Sequence, residues 1–375
     1  MDKHLHIVCF DVPFPPDYGG VTDVFYKIKA LHQLGIKIHL HCFEYGRGKQ
    51  IELNKYCEKV NYYKRKKGLK GFSFRLPYIV NSRANKQLLK NLLQNNYPVL
   101  LEGIHCTYFL FTGELKNKKV FVRLHNVEYE YYHQLAKSDT SFFKNIYFKN
   151  ESRLLKKYEK KIAHKAMLIS LTEKDAEVYK IEFNADNIQC LPPFLPYATV
   201  TSKEGKGDFC LYHGNLSVIE NEKAAIWLLQ NIFCDLNIPF SIAGKNPSEK
   251  LLLFAKRNKN VTIIQNPSET EMGKLISNAQ INIIPSFNST GIKIKLLNAL
   301  FTGRHCIVNK QAVDGTELES LCHIASGELE FKALITTLFN KSFMQEEKND
   351  RSKLLETKFN NKKNARQLID WIWTD

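Results

Sequence analysis

Short apolar runs, turns and amphipathic helices alternate along this chain on both sides of one proline-rich break, and that alternation constrains the fold more than any other feature. Residues 4–10 read as a strand and 11–20 as a proline-rich loop. Val24, Ile28, Leu31 and Leu34 form one face of a helix that Gly35 ends. Residues 36–43 alternate as a second strand. Further strands are expected at 99–101, ending at Glu102, at 119–124, ending at His125, and at 167–171 and 187–191, with helices at 82–95, 142–164 and 172–183. Residues 192–207 are proline-rich, then polar and glycine-bearing, which is the composition of a linker. Strands resume at 209–212, 240–243, 261–264 and 281–284. Strand–turn–helix units of this kind build parallel sheets covered on both faces. The fold class is therefore α/β, with two Rossmann-like doubly wound domains facing a cleft.

A chain of 375 residues is long enough for two such cores. No apolar run reaches the length of a membrane span, and the amino terminus enters a strand without the pattern of a signal peptide, so a cytoplasmic location is expected. The nine cysteines show no C-x-x-C spacing and lie mostly in apolar runs, as small buried hydrophobes do; neither a disulfide framework nor a metal site is expected. The net charge of +16 attracts polyanions without choosing among nucleic acid, anionic lipid and phosphorylated small molecules, and a solubilising surface would carry the same charge. Residues 59–75 add tyrosines and phenylalanines between lysines and arginines. Their glycines suggest an exposed loop, which would suit an anionic membrane surface or a single-stranded nucleic acid as well as plain solvation.

Three places carry chemistry. Residues 281–303 run from an apolar strand into Asn288, Ser289, Thr290 and Gly291 and then into a helix, with Ile292, Leu296, Leu297 and Leu300 at helical spacing and Gly303 closing it. A helix starting there would offer unpaired N–H groups and a positive dipole end to a phosphate, with Lys293 and Lys295 nearby. Any capped strand-to-helix turn would share this shape. Gly19 and Gly20 let backbone approach an anion at the start of the first helix, although such a pair also makes an ordinary tight turn. The fingerprint G-x-G-x-x-G is missing, which argues against a dinucleotide. His125 lies at a strand end, where ligands of open α/β sheets gather.

The stretch Gly291-Ile-Lys-Ile-Lys-Leu-Leu-Asn-Ala-Leu-Phe-Thr-Gly303 resembles the donor-site segment of retaining GT-B glycosyltransferases of the family-4-like group, and Arg123-Leu-His-Asn-Val-Glu128 looks like one branch of it. The family pattern carries two glutamates eight positions apart here; this chain has Thr290 and Asn298 instead. The resemblance implies hexose transfer with retention from a nucleotide diphosphate sugar to a glycan or lipid-linked acceptor, without metal or other cofactor. It implies His125 as the catalytic residue holding the sugar. Gly19, Gly20, Lys245, Thr290, Gly291, Ile292, Lys293 and Lys295 would lie by the diphosphate and sugar, and Asn298 and Gln265 by the nucleoside. The usual cation after the Gly-x-Leu turn is replaced in 217–222, so phosphate charge is expected from the three lysines. The expected domains are 1–195 on the acceptor side, 206–353 for the nucleotide sugar, and 354–375 as a last helix returning to the first domain, with Leu368, Trp371 and Ile372 at helical spacing. Two rivals from other classes are a catalytically silent relative, suggested by the missing glutamates, and a nucleic-acid-binding protein, which rests on charge alone and is not the expectation here.

Overall fold

A computed structural model describes residues 2–138, 141–288 and 290–374. The chain divides into two compact units, Met1–Pro196 with Phe359–Asp375, and Tyr197–Lys358.

In the first unit, the described residues form a seven-stranded sheet of β1 (His4–Cys9), β2 (Lys37–Glu44), β3 (Lys59–Lys64), β4 (Val99–Glu102), β5 (Val120–Arg123), β6 (Met167–Ser170) and β7 (Ile188–Cys190), in the order 3-2-1-4-5-6-7. Every pairing is parallel. Period-two alternation sends Val8, Leu101 and Val122 into the core on one face and Ile7, Leu100 and Phe121 into the core on the other. Leu368 and Ile372 of the helix Asn361–Trp373 join the second of these cores.

In the second unit, β8 (Cys210–Asn215), β9 (Phe240–Lys245), β10 (Val261–Gln265), β11 (Ile281–Ile284), β12 (His305–Val308) and β13 (His323–Ile324) form a parallel sheet in the order 10-9-8-11-12-13. Tyr212, Ile242, Ile283 and Ile307 centre its larger core. Each sheet thus has one point where the strand order reverses, between β1 and β4 and between β8 and β11. Crevices open at such points beyond the carboxyl ends of the strands.

Several local expectations are corrected. The helix foreseen at 82–95 is two short ones, Tyr78–Asn81 and Lys86–Leu92, because Asn85 caps a fresh start by accepting the N–H groups of Gln87 and Leu88. The helix foreseen directly after Asn288–Gly291 begins at Ile294. Asn288 spends its side-chain oxygen on the N–H and hydroxyl of Thr290, at 2.8 and 2.9 Å, and Gly291 is left-handed with φ 61°, so the chain turns once more before coiling. Ser289 lies outside the described residues. All nine cysteines are free; five are buried, but Cys234 is exposed. The basic stretch is a loop only after Lys64, where β3 ends.

Candidate functional site

At the β1/β4 switch point, the carboxyl ends of β1, β4 and β5 converge with the helix Gly19–Gln33 on a group of buried charges. Lys27 Nζ lies 2.7 Å from Glu102 Oε1 and 3.0 Å from Asp23 Oδ2, with all three side chains 1% exposed or less. Arg123 reaches Asp23 at 3.3 Å and donates to the carbonyls of Ser170, Leu191 and Pro192. Asp23 Oδ1 also accepts the N–H of Phe194 at 2.8 Å. Burial alone would raise Asp23, but Arg123 and Lys27 outweigh it and hold the carboxyl well below its usual range; burial would likewise raise Glu102, and Lys27 and His125 lower it instead. The oxygens of Asp23 and Glu102 could ligate a metal together with His125, yet the Lys27 ammonium already bridges the two carboxylates.

His125 is the member of this group with a little exposure, at 8%, and its Nε2 meets Glu102 Oε2 at 3.0 Å. The Phe10 ring lies edge-on to the His125 ring at 5.3 Å. The same Phe10 ring packs so close to Gly20 that a Cβ there would meet it at 2.7 Å. Gly20 and His125 are therefore brought together through Phe10, with Gly19 as the first residue of its helix. Asp11 fixes the loop before them by accepting the Val12 N–H and the Tyr18 hydroxyl, both at 2.8 Å.

At the β8/β11 switch point the arrangement is polar but incompletely paired. Lys295 Nζ donates to Asn221 Oδ1 at 3.0 Å and to the Tyr212 hydroxyl at 3.2 Å, and sits over the Tyr212 ring. Burial and the nearby Lys293 push the Lys295 pKa down to about 7. His213, near the end of β8, is buried with its Nε2 unpartnered; burial and Lys295 push its pKa down to about 3. A buried polar atom left without a partner costs about 1–3 kcal/mol. Glu220 accepts the Asn288 amide at 2.9 Å, tying the turn after β11 to the helix after β8. Thr290 and Gly291 are buried, and Ile292 is half-buried. Lys293 Nζ bonds back to the Thr290 carbonyl at 2.5 Å.

The remaining predicted residues spread outward from this corner. Lys245 ends β9 opposite Asn215 of β8, and Gln265 ends the edge strand β10, exposed. Asn298 is half-buried on the helix Ile294–Thr302, its carbonyl engaged by the Thr302 hydroxyl at 2.8 Å. Sequence reasoning missed His213, Tyr212, Asn221 and Glu220. The signal available was that His213 stands at a strand end next to Gly214, as His125 does at the end of β5.

Residues 207–334 match the model of the family described as glycosyl transferases group 1. The chain resembles an uncharacterized 44.6 kDa protein in the cps region of Klebsiella pneumoniae, 28% identical over 336 residues, covering 83% of this chain and 84% of the relative. Among solved structures it superposes on an S. aureus TarM variant in complex with fondaparinux, alpha-GlcNAc-glycerol and UDP, at TM-score 0.71, 12% identity and full coverage of both chains. It also superposes on Anabaena HepE in complex with UDP and glucose, at TM-score 0.68 and 8% identity over 99% of each chain. WaaG, a glycosyltransferase involved in lipopolysaccharide biosynthesis, gives TM-score 0.67 and 12% identity over 99% of this chain and 100% of its own. The two doubly wound units are those of the GT-B glycosyltransferase fold.

Proposed function

We propose that this protein transfers a hexose from a nucleotide diphosphate sugar to an acceptor hydroxyl, with retention and without a metal, in building a cell-surface glycan. The observation that carries the reading is the unsaturated corner at the β8/β11 switch point, where Lys295 is poised near neutrality beside the unpartnered His213 inside the family-matched segment. An anionic diphosphate would keep Lys295 protonated and give this corner the charge it lacks. Complexes of the TarM variant and HepE with UDP support a uridine-type donor class, and the Klebsiella relative's location in a cps region supports a glycan product.

The chemical demand is to stabilise the leaving diphosphate as the anomeric carbon gains oxocarbenium character, and preorganised donors meet it best. Lys245, Lys293, Lys295 and backbone N–H groups around Gly291 are assigned that role, His125 holds the sugar, and the departing phosphate accepts the acceptor's proton. Thermal shift against a panel of nucleotides and nucleotide sugars, followed by mass spectrometry of products, tests the reading, because a saturating ligand stabilises by mass action. Stabilisation by nucleoside diphosphates with sugar transfer supports it; stabilisation with no transfer to any glycan or lipid-linked acceptor supports the silent relative that Thr290 and Asn298 suggest.

The acceptor side is assigned to an anionic membrane surface. Leu69 and Phe74 are 90% and 87% exposed among Lys64, Arg65, Lys66, Lys67, Lys70 and Arg75. Beyond the loop, Tyr78 donates its N–H to Glu151 on the helix Phe142–Ile162, whose first turn exposes Phe142 and Phe143. Each cation near an anionic leaflet contributes about 1 kcal/mol. Neutralising Lys64, Arg65, Lys66 and Lys67 should weaken co-sedimentation with anionic vesicles, and wild-type binding indifferent to salt and lipid charge would refute the assignment. Among the described residues no helix is long and apolar enough to cross a membrane.

A further inference from the structure

We propose that His305, His323 and Glu347 form a binding site for a zinc-type divalent cation at the amino-terminal edge of the second sheet. His305 opens β12 and is fully buried, and its Nε2 lies 3.0 Å from the Lys341 carbonyl. A carbonyl only accepts, so Nε2 carries the proton and Nδ1 of the neutral ring presents a lone pair. That Nδ1 is buried and has no hydrogen-bond partner. A backbone carbonyl behind the far nitrogen is also the support that metal-bound histidines have, since it fixes the ring and its tautomer.

Glu347 Oε1 stands 3.5 Å from His305 Nδ1. That is too long for a charge-assisted hydrogen bond, which spans about 2.7–2.9 Å. It is close to the separation of two ligands on a tetrahedral zinc, about 3.4 Å for bonds of about 2.0–2.2 Å. Glu347 Oε2 accepts the Met344 N–H at 3.1 Å, which orients the carboxylate and leaves Oε1 to point inward. His323 opens β13 and completes the set: one ring nitrogen of each histidine and a Glu347 carboxylate oxygen all lie within 4.8 Å of one another. The His305 and His323 rings are 5.7 Å apart and steeply inclined.

Arg351 and Lys341 add positive charge close by, so the field alone would not gather a cation. Arg351 spends its guanidinium on the carbonyls of Gly303 and Arg304 and does not neutralise Glu347 through any of these bonds. Ligand bonds must hold the ion, and two imidazoles with one carboxylate select zinc over magnesium or calcium, which prefer all-oxygen sets. The three ligands come from β12, β13 and the first turn of the helix Gln345–Lys358, so no short motif announces them. The site lies at the opposite ends of the strands from His213 and Asn215. A bound ion would therefore fasten the helix to the sheet and leave the nucleotide corner untouched.

The test uses the full chain after chelation and dialysis, titrated with zinc chloride by calorimetry and followed by thermal unfolding. The expected result is one zinc ion per chain at micromolar affinity or tighter and a raised Tm that magnesium does not reproduce. Cobalt substituted for zinc should give visible absorption of a tetrahedral centre. His323→Ala and Glu347→Gln change half-buried residues and keep buried His305 in place; each should weaken zinc binding by about tenfold or more while nucleotide affinity stays at the wild-type value. No zinc-dependent stabilisation of the wild type, or the same affinity and stoichiometry in both variants, would overturn the site. The outcome is separate from the transferase reading, which concerns the other end of the sheet.

Discussion

At the β1/β4 switch point Asp23, Lys27, Glu102 and Arg123 neutralise one another almost completely out of water, whereas at the β8/β11 switch point Lys295 meets only neutral partners and His213 Nε2 meets none. The first arrangement is closed. Its carboxylates are held ionised by the cations beside them, and its one addressable member is His125. The second is open, with its cation depressed toward neutrality because burial and Lys293 outweigh the nearby Glu220 carboxylate. The contrast separates two arrangements that look alike in sequence: charges that hold a strand-end constellation together, and a cation hydrogen-bonded only to neutral groups.

Opening the closed network should have the greatest consequence. Lys27→Met leaves Asp23 and Glu102 facing each other in a buried site, and removing one partner of a buried pair costs about 3–5 kcal/mol. Denaturant unfolding should show that loss; a change below about 1 kcal/mol would mean the network is solvated like a surface pair. In the open corner, Lys295→Ala should leave stability near wild type and weaken nucleoside diphosphate binding by about 1.5–3 kcal/mol, the range for hydrogen bonds to charged groups. Because an anion favours the protonated amine, wild-type affinity should be level below about pH 7 and decline as pH rises through it. Calorimetry in buffers of different ionisation enthalpy should register proton uptake on binding.

A smaller effect separates the units by pH. Burial and Glu159 push Glu128 up to about 8, and burial pushes Glu159 up to about 7. Acids raised in the fold contribute stability while protonated, so the contribution is present below the usual carboxylate range and lost as pH rises through 7 to 8. The first unit should melt at lower temperature at pH 8.5 than at pH 6, and Glu128→Gln should flatten that slope. Smallest is Asn298→Glu. Restoring the family's carboxylate should tighten nucleotide binding by about 1 kcal/mol, roughly fivefold, for ribonucleotides and less for dideoxy analogues. Equal or weaker affinity would mean that Asn298 does not face ribose.

Most strand positions and the fold class were legible because buried parallel strands write themselves as apolar runs ending at polar residues, as 99–102 and 281–284 do. The start of the helix Ile294–Thr302 was not, since Asn288 has the chemistry of a cap and uses it on a turn. His125 was visible as a strand-end histidine, but its clamp on Glu102 and the engagement of Lys27 depend on three elements meeting and leave no local pattern. His213 escaped for the same reason: an unpartnered nitrogen is a property of its surroundings, which one sequence does not show.

On the function proposed above, nucleotide binding rests on the open corner and sugar transfer requires His125. This division is tested most directly by measuring, on one preparation of His125→Ala, both the dissociation constant of the donor's nucleoside diphosphate and the rate of sugar transfer. Glu102 keeps Lys27 as a partner in that variant, so the fold should hold. Nucleotide affinity should stay within about twofold of wild type, under 0.5 kcal/mol, with transfer reduced far more than binding. Transfer at the wild-type rate, or a loss of nucleotide affinity as large as the loss of rate, would contradict it.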